Sequence, residues 1–269
     1  MSTTLPPPGP GHAPWTTDPY ANALRNGRGP LFLRRPDGWL LPLDVERWCA
    51  DADAADLSAL HRCEGPVIDI GCGPGRLVAA LAARGHRALG IDVSDAAVDH
   101  TQRLGGSALR RSVFDPLPAE GRWGTALLID GNIGIGGDPG ALLRRVAVLL
   151  APSGLLVAEA TPQDVDERVQ VRLDDGRGAA ATAPHFRWAR VGAPALAQIR
   201  TVVRLAARRR VGGGRAPLPG PASRPYAQGP EPGGPAPSRP LAVVRRARVA
   251  PPVAGRMCVA FPRDDRGTR

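Results

Sequence analysis

The chain has 269 residues, of which 43% are hydrophobic and 22% charged, with a formal net charge of +10. That length accommodates one α/β domain with arms, and no apolar run reaches the eighteen or so residues that a membrane helix needs. The four cysteines (Cys49, Cys63, Cys72, Cys258) form no C-x-x-C pair and do not cluster with the five histidines, so neither a zinc site nor a disulfide framework is indicated and no metal is expected.

All 35 basic residues are Arg, and their distribution is uneven. Residues 1–199 carry 20 Arg against 22 acids, whereas residues 200–269 carry 15 Arg against 3 acids. The globular part is therefore nearly neutral and the basicity belongs to the tail. A basic tail could follow phosphates or an acidic surface. No aromatic residues interleave with the arginines as base stacking would want, so nucleic acid is disfavoured as a partner and a disordered or miscoded tail is the simpler reading.

Residues 1–16 (MSTTLPPPGPGHAPWT) are rich in Pro, Gly and Thr, carry too little apolar surface to fold, and lack the basic start and apolar core of a secretory signal. A cytoplasmic, membrane-free protein is the expectation. Residues 17–60 read as a cap: a short helix in DPYANALRNGRGP, then two strands flanking the Pro-Asp-Gly turn of LFLRRPDGWLLPLD.

From residue 61 to 199 strands and helices alternate. Predicted strands are Pro66–Ile70, Ala88–Val93, Leu109–Phe114, Thr125–Asp130 and Leu155–Ala160. Between them, helices are predicted over Arg76–Arg84, from the Ser94 cap to Leu104, and over Asp138–Leu150. Apolar strands separated by helical crossovers indicate a doubly wound, mostly parallel sheet of Rossmann-like type. After Thr161 the pattern weakens to an edge strand in DVDERVQVRLDDG and a helix in APALAQIRTVVRLAARR. Residues 200–269 are low-complexity, 21 of the 70 being Gly or Pro, with strand-like pieces only at Leu241–Val244 and Met257–Phe261.

The stretch VIDIGCGPGRL (67–77) runs from strand to glycine-rich turn to helix. Gly71, Gly73 and Gly75 permit positive φ, and with Cys72 they bring the backbone close to a ligand. The helix start favours an anionic group. A dinucleotide loop wants G-x-G-x-x-G, but here the spacing is G-x-G-x-G, with Arg76 where the third glycine would stand. Asp69 lies at the strand end, where a carboxylate would repel pyrophosphate and hold an ammonium. Asp92, with Val93 beside it, ends the next strand and can accept two hydrogen bonds from vicinal ribose hydroxyls, Ser94 being left to cap the following helix.

Taken together, VIDIGCGPGRL and ALGIDVS resemble motif I and the second-strand acid of class I S-adenosylmethionine (SAM) dependent methyltransferases. The likeness spans about residues 60–160, and residues 18–49 resemble the N-terminal cap of actinobacterial small methyltransferases. It implies SAM as cofactor and methyl transfer to a small-molecule acceptor. It places Val113 and Phe114 against the adenine, with Asp115 a further acceptor for its amino group. It also sets Asp130 and Asn132 along the methionine and acceptor, Asp130 being the candidate general base. The Asn-Pro-Pro-Tyr type motif of nucleic-acid amino methyltransferases is absent. Tyr20 is a candidate to close over the cofactor, and His185 and Trp188 to line the acceptor side.

Relatives of this class finish the sheet with an antiparallel hairpin that has no clear counterpart after residue 199. Missing or atypical edge strands are therefore expected, from a frame change that leaves the fifth strand open. Two other readings stand beside the enzyme: a SAM-binding remnant without catalysis, and an NAD-dependent oxidoreductase. Acceptor identity and oligomeric state are not encoded in any motif.

Overall fold

The computed structural model describes residue 15 and residues 18–177, 183–199, 241–242 and 258–262. Its centre is a parallel sheet in the order β5-β4-β3-β6-β7, built from β3 (Val67–Ile70), β4 (Ala88–Asp92), β5 (Ala108–Arg110), β6 (Trp123–Leu128) and β7 (Leu150–Glu159). All four residues of β3 are buried, as a central strand covered on both faces requires. The register sets Ile68 beside Leu89 on one side and Ala126 on the other. The chain runs outward from β3 to β4 and β5, then crosses back to β6 and β7, so the winding direction reverses between β3 and β6. In open α/β sheets that reversal opens a crevice at the carboxyl ends of the strands.

Helices cover both faces. α4 (Arg76–Ala82) turns Leu77, Val78 and Leu81 inward, and α5 (Asp95–Arg103) buries Ala97, Val98 and Thr101. α6 (Pro139–Leu149) starts at Asp138, whose side chain accepts from the Ala141 N–H, with Pro139 preset for the first helical position. Leu142, Val146 and Leu149 of α6 pack with Ile68, Leu128 and Leu156 of the sheet and with Leu196 from the helical residues 193–199. On the opposite face Leu60 of α3 (Ala54–Leu60) joins Leu77, Leu81 and Leu127.

A second sheet, in the order β2-β1-β8-β9, is antiparallel. β1 (Phe32–Arg34) and β2 (Leu40–Pro42) flank the expected turn, while β8 (Asp166–Asp174) and β9 (Phe186–Val191) come from the far side of the parallel sheet in sequence. With α1 (Asp18–Asn26) and α2 (Val45–Cys49) they enclose a separate apolar cluster that includes Leu24, Leu33, Trp48, Leu173 and Phe186. The cap is thus completed by residues that follow the parallel strands.

At the other edge, β10 (Leu241–Ala242) and β11 (Cys258–Pro262) are each registered antiparallel on β7. This corrects the expectation of an open fifth strand: β11 pairs β7 from Leu155 to Glu159. The arrangement is atypical in that both pieces pair with β7. The remainder of residues 200–269, and the expected disordered start, lie outside the described residues.

Candidate active site

Between the two sheets lies a cavity of about 300 Å³, walled by the carboxyl ends of the parallel strands and by the cap. Its floor is the glycine turn after β3. Gly71, Gly73 and Gly75 take φ of 71°, 54° and 93°, the left-handed region that glycine enters without a side-chain clash. The three differ in what their missing side chains make room for. A Cβ on Gly71 would lie 2.7 Å from Asn132 Nδ2, and one on Gly75 would overlap Thr101 of α5, whereas one on Gly73 would meet only the Tyr20 hydroxyl at 3.7 Å. Gly71 and Gly73 line the cavity, with Cys72 between them. Gly75 does not: it serves the packing of α4 on α5, which corrects its expected place against a ligand. The Cys72 thiol is buried and pushed well above its ordinary range, by burial first and then by Asp92.

Asp92 and Val93 stand on the cavity wall at the end of β4. The Asp92 carboxylate accepts from the Gly73 N–H (3.0 Å) and the Ser94 N–H (2.9 Å), and also from the Tyr20 hydroxyl. Burial raises its pKa and these bonds restrain the rise. Ser94 occupies the N-cap of α5, but its side chain makes no capping bond. Asp92 therefore serves that turn itself, while still facing the cavity. Asp69 is set one layer behind. It is 2% exposed, does not line the cavity, and its Oδ2 has no hydrogen-bond partner among the described residues. Burial pushes its carboxyl up to about 7, with Arg76 opposing and Asp130, Asp92 and Asp56 adding to the rise.

The polar end of the cavity is organised by a group of charges that motif reading did not foresee. Arg76, 5% exposed at the start of α4, donates through Nε and Nη2 to Asp56 (2.9 and 3.2 Å) and through Nη2 to Asp130 (2.8 Å). Arg47 of α2 joins the same Asp56 (2.6 Å), Asp53 (3.1 Å) and Asp130. Burial works to lower both guanidinium pKa values, and the attraction of Asp130 and Asp56 more than offsets it. Asp130 itself has φ of 57°, uncommon outside glycine, and its N–H donates to the buried Glu159 (2.6 Å). Its carboxylate is held by two arginines, one from α2 and one from α4. Asn132 follows on the 3₁₀ segment Asn132–Gly137 and donates to the carbonyls of Ile70 (2.9 Å) and Gly71 (2.8 Å), pinning the glycine turn.

Ser112, Val113 and Phe114 line the cavity beyond β5, Phe114 remaining 41% exposed. Asp115 does not line it, since its carboxylate accepts from the Ser112 N–H (3.1 Å) and closes the local turn. The cap contributes Trp15, Tyr20, Trp48, Phe186 and Trp188. His185 is exposed and lies off the cavity wall, so it is no candidate for the acceptor side. Phe186 and Trp48 were missed in sequence; the inward-outward alternation of Phe186, Arg187 and Trp188 was the signal available for the first.

A five-stranded parallel sheet wound in this order, with a glycine turn after its central strand and an acid ending the next, defines a Rossmann-like fold of the class I methyltransferase type. The chain belongs to the family described as "Methyltransferase domain", which matches residues 44–198. Among solved structures, it is similar to a SAM-dependent methyltransferase from Bacteroides fragilis in complex with S-adenosyl-L-homocysteine, at 19% identity over 71% of this chain and 87% of that one, with a TM-score of 0.58. It is also similar to a 1,6-didemethyltoxoflavin-N1-methyltransferase from Burkholderia thailandensis, at 21% identity over 56% of this chain and 67% of that one, with a TM-score of 0.41. At these identities the likeness is one of fold. No curated protein matches the sequence. No helix among the described residues is long and apolar enough to cross a membrane.

Proposed function

We propose that the protein is a methyltransferase that uses SAM to methylate a small-molecule acceptor bound between the parallel sheet and the cap. The observation that carries this reading is the left-handed glycine turn, open at Gly73 and facing the buried Asp92 on the next strand. The donor set suits an amino-acid-bearing nucleoside. Asp92 has oxygen lone pairs to offer a ribose diol once Tyr20 yields, and Val113 and Phe114 offer an apolar seat for a flat base. The unpartnered Oδ2 of Asp69 behind Gly71 favours a positive charge at that end. A pyrophosphate fits less well, because Arg76 is already neutralised by Asp56 and Asp130.

When bound, SAM supplies a methyl group on a sulfonium whose departure leaves a neutral thioether. No acid is needed for that departure, so the work of the residues is alignment and exclusion of water. Asn132 and the Arg47–Asp130–Arg76 group hold the floor rigid, and the cap aromatics close the opposite side.

Isothermal titration of the purified chain with S-adenosylhomocysteine and with NAD tests the cofactor. Binding of the first alone is expected, and Asp92→Ala is expected to weaken it by ~1–3 kcal/mol through lost hydrogen bonds to a buried carboxylate. Binding of NAD instead would overturn the reading. Mass spectrometry of small molecules from cells with and without the gene should reveal a methylated product, and binding without any such product would favour a SAM-binding remnant.

A further inference from the structure

From the composition of the acceptor end of the cavity we infer that the acceptor is a flat aromatic small molecule methylated on nitrogen, a ring nitrogen or an aryl amine. The inference rests on the proposed methyl transfer and narrows its substrate.

The chain has only eleven aromatic residues (five Trp, two Tyr, four Phe), and six of them line this one cavity. Four of them, from position 15, α1 and β9, meet edge to face or tilted: Trp15 lies 5.1 Å from Tyr20, 5.4 Å from Phe186 and 5.5 Å from Trp188, measured between ring centres. Such a concentration in a chain so poor in aromatics favours a ligand with a π face. Trp48 adds a directional element. It is 9% exposed and lines the cavity, and its indole N–H is buried without a hydrogen-bond partner among the described residues. An unpaired buried donor is costly, so the group that completes it should carry an accepting nitrogen or oxygen on its edge.

The titratable groups on the wall then decide which atom is methylated. The two carboxylates are engaged, Asp92 by two backbone N–H groups and Tyr20, and Asp130 by Arg47 and Arg76. The Tyr20 hydroxyl and the Cys72 thiol are both pushed up, chiefly by burial, and stay protonated. The Ser112 hydroxyl accepts from the Phe114 N–H. Among the described residues, the lining contains no His or Glu, and the chain has no Lys. Without a base on the wall, an alcohol or a phenol keeps its proton. An aliphatic amine arrives protonated and, without a base to take its proton, has no lone pair to offer. A pyridine-type ring nitrogen or an aryl amine needs no base, because it is largely unprotonated at neutral pH and keeps a lone pair to offer. That lone pair forms the new N–CH₃ bond while the S–CH₃ bond breaks and its electrons return to sulfur. An aryl amine then releases its proton to solvent, whereas a ring nitrogen without hydrogen keeps the positive charge, which the indole faces stabilise.

The test uses the full chain with S-adenosylhomocysteine bound, so that acceptor binding is read without turnover. Isoquinoline, 6-methoxyisoquinoline and aniline are titrated against phenol, cyclohexylamine and cyclohexanol, following tryptophan emission and heat, and the same compounds are then assayed with SAM for methylated product. Isoquinoline and aniline are expected to bind, to quench emission and to be N-methylated. Trp188→Ala should weaken both by about tenfold or more, and Trp48→Phe should weaken 6-methoxyisoquinoline, whose ether oxygen can accept from the indole while its ring nitrogen stays free to react, by several-fold. Circular dichroism confirms that each variant is folded, and the milder Trp48→Phe decides the matter if Trp188→Ala is not. Preferred methylation of phenol, cyclohexylamine or cyclohexanol would overturn the inference, as would binding of 6-methoxyisoquinoline that ignores Trp48→Phe. If S-adenosylhomocysteine does not bind at all, the cofactor reading itself fails and takes this one with it.

Discussion

Asp69 and Tyr20 show how single side chains set the behaviour of the cavity. Burial pushes the Asp69 carboxyl up to about 7, against an ordinary value near ~4. A folded-state value above the unfolded one means that the stability tied to Asp69 is complete below about 4 and is lost as pH rises through about 7. A bound ammonium acts the other way, because it favours the carboxylate and drives release of the proton. SAM affinity is therefore expected to strengthen between pH ~5.5 and ~7 by roughly tenfold, and Asp69→Asn to flatten that dependence, both measured by titration calorimetry. A slope identical in the two proteins would remove Asp69 from the cofactor site. Tyr20 competes for Asp92 from the cap, and a carboxylate has only about four acceptor positions, two of them held by the Gly73 and Ser94 N–H groups. Tyr20→Phe should lower unliganded stability by ~1 kcal/mol and tighten S-adenosylhomocysteine a few-fold, seen as a lower melting temperature that the ligand restores.

Between elements, the decisive contacts are the ion pairs that tie α2 and α3 to the start of α4 and the turn after β6. Asp56 is the shared partner of Arg47 and Arg76, and it also closes the capping box of α3 with Asp53. Asp56→Ala would leave a buried guanidinium short of its anion, and a loss of about 3 kcal/mol in urea unfolding is expected. Asp53→Ala, at a half-buried side chain that caps α3, should cost about 1 kcal/mol, the worth of a helix cap. The parallel strands, α4, α5, α6 and the glycine turn were legible because apolar runs, breakers and caps are local signals. Here α2 and α3, of five and seven residues, are too short to show a period. β9 was hidden by Arg187 and Arg190 within FRWARV. Asp130 and its partner Arg47 lie 83 residues apart in sequence, so their pairing could not be read from local pattern. Arg76 could be read only as an obstacle to a dinucleotide; its partners emerge from the fold.

At the scale of the whole molecule, the cavity is closed by a sheet assembled from two distant stretches, β1 and β2 from the start and β8 and β9 from beyond the parallel strands. β1 meets β8 with Leu33 opposite Leu173, and the Arg34–Asp174 pair (2.5 Å) fastens the junction. Separation of this cap from the parallel sheet breaks the Tyr20–Asp92 hydrogen bond and the Arg47–Asp130 pair. β9 carries Ala189 and Val191 into the apolar cluster that α6 joins, whereas α1 and β1 pack in a separate cluster that takes in Ala97 of α5. Opening of α1 and β1 should therefore be a local event of lower free energy than global unfolding. In hydrogen exchange, S-adenosylhomocysteine is expected to slow the amides of α1 and β1 as well as the glycine turn, because binding favours the closed state by mass action, and to leave α6 unchanged. Protection confined to the glycine turn would mean that the cap does not close on the ligand. Uniform protection that includes α6 would mean that exchange reports only global stability, and that the cap and the parallel sheet open as one unit.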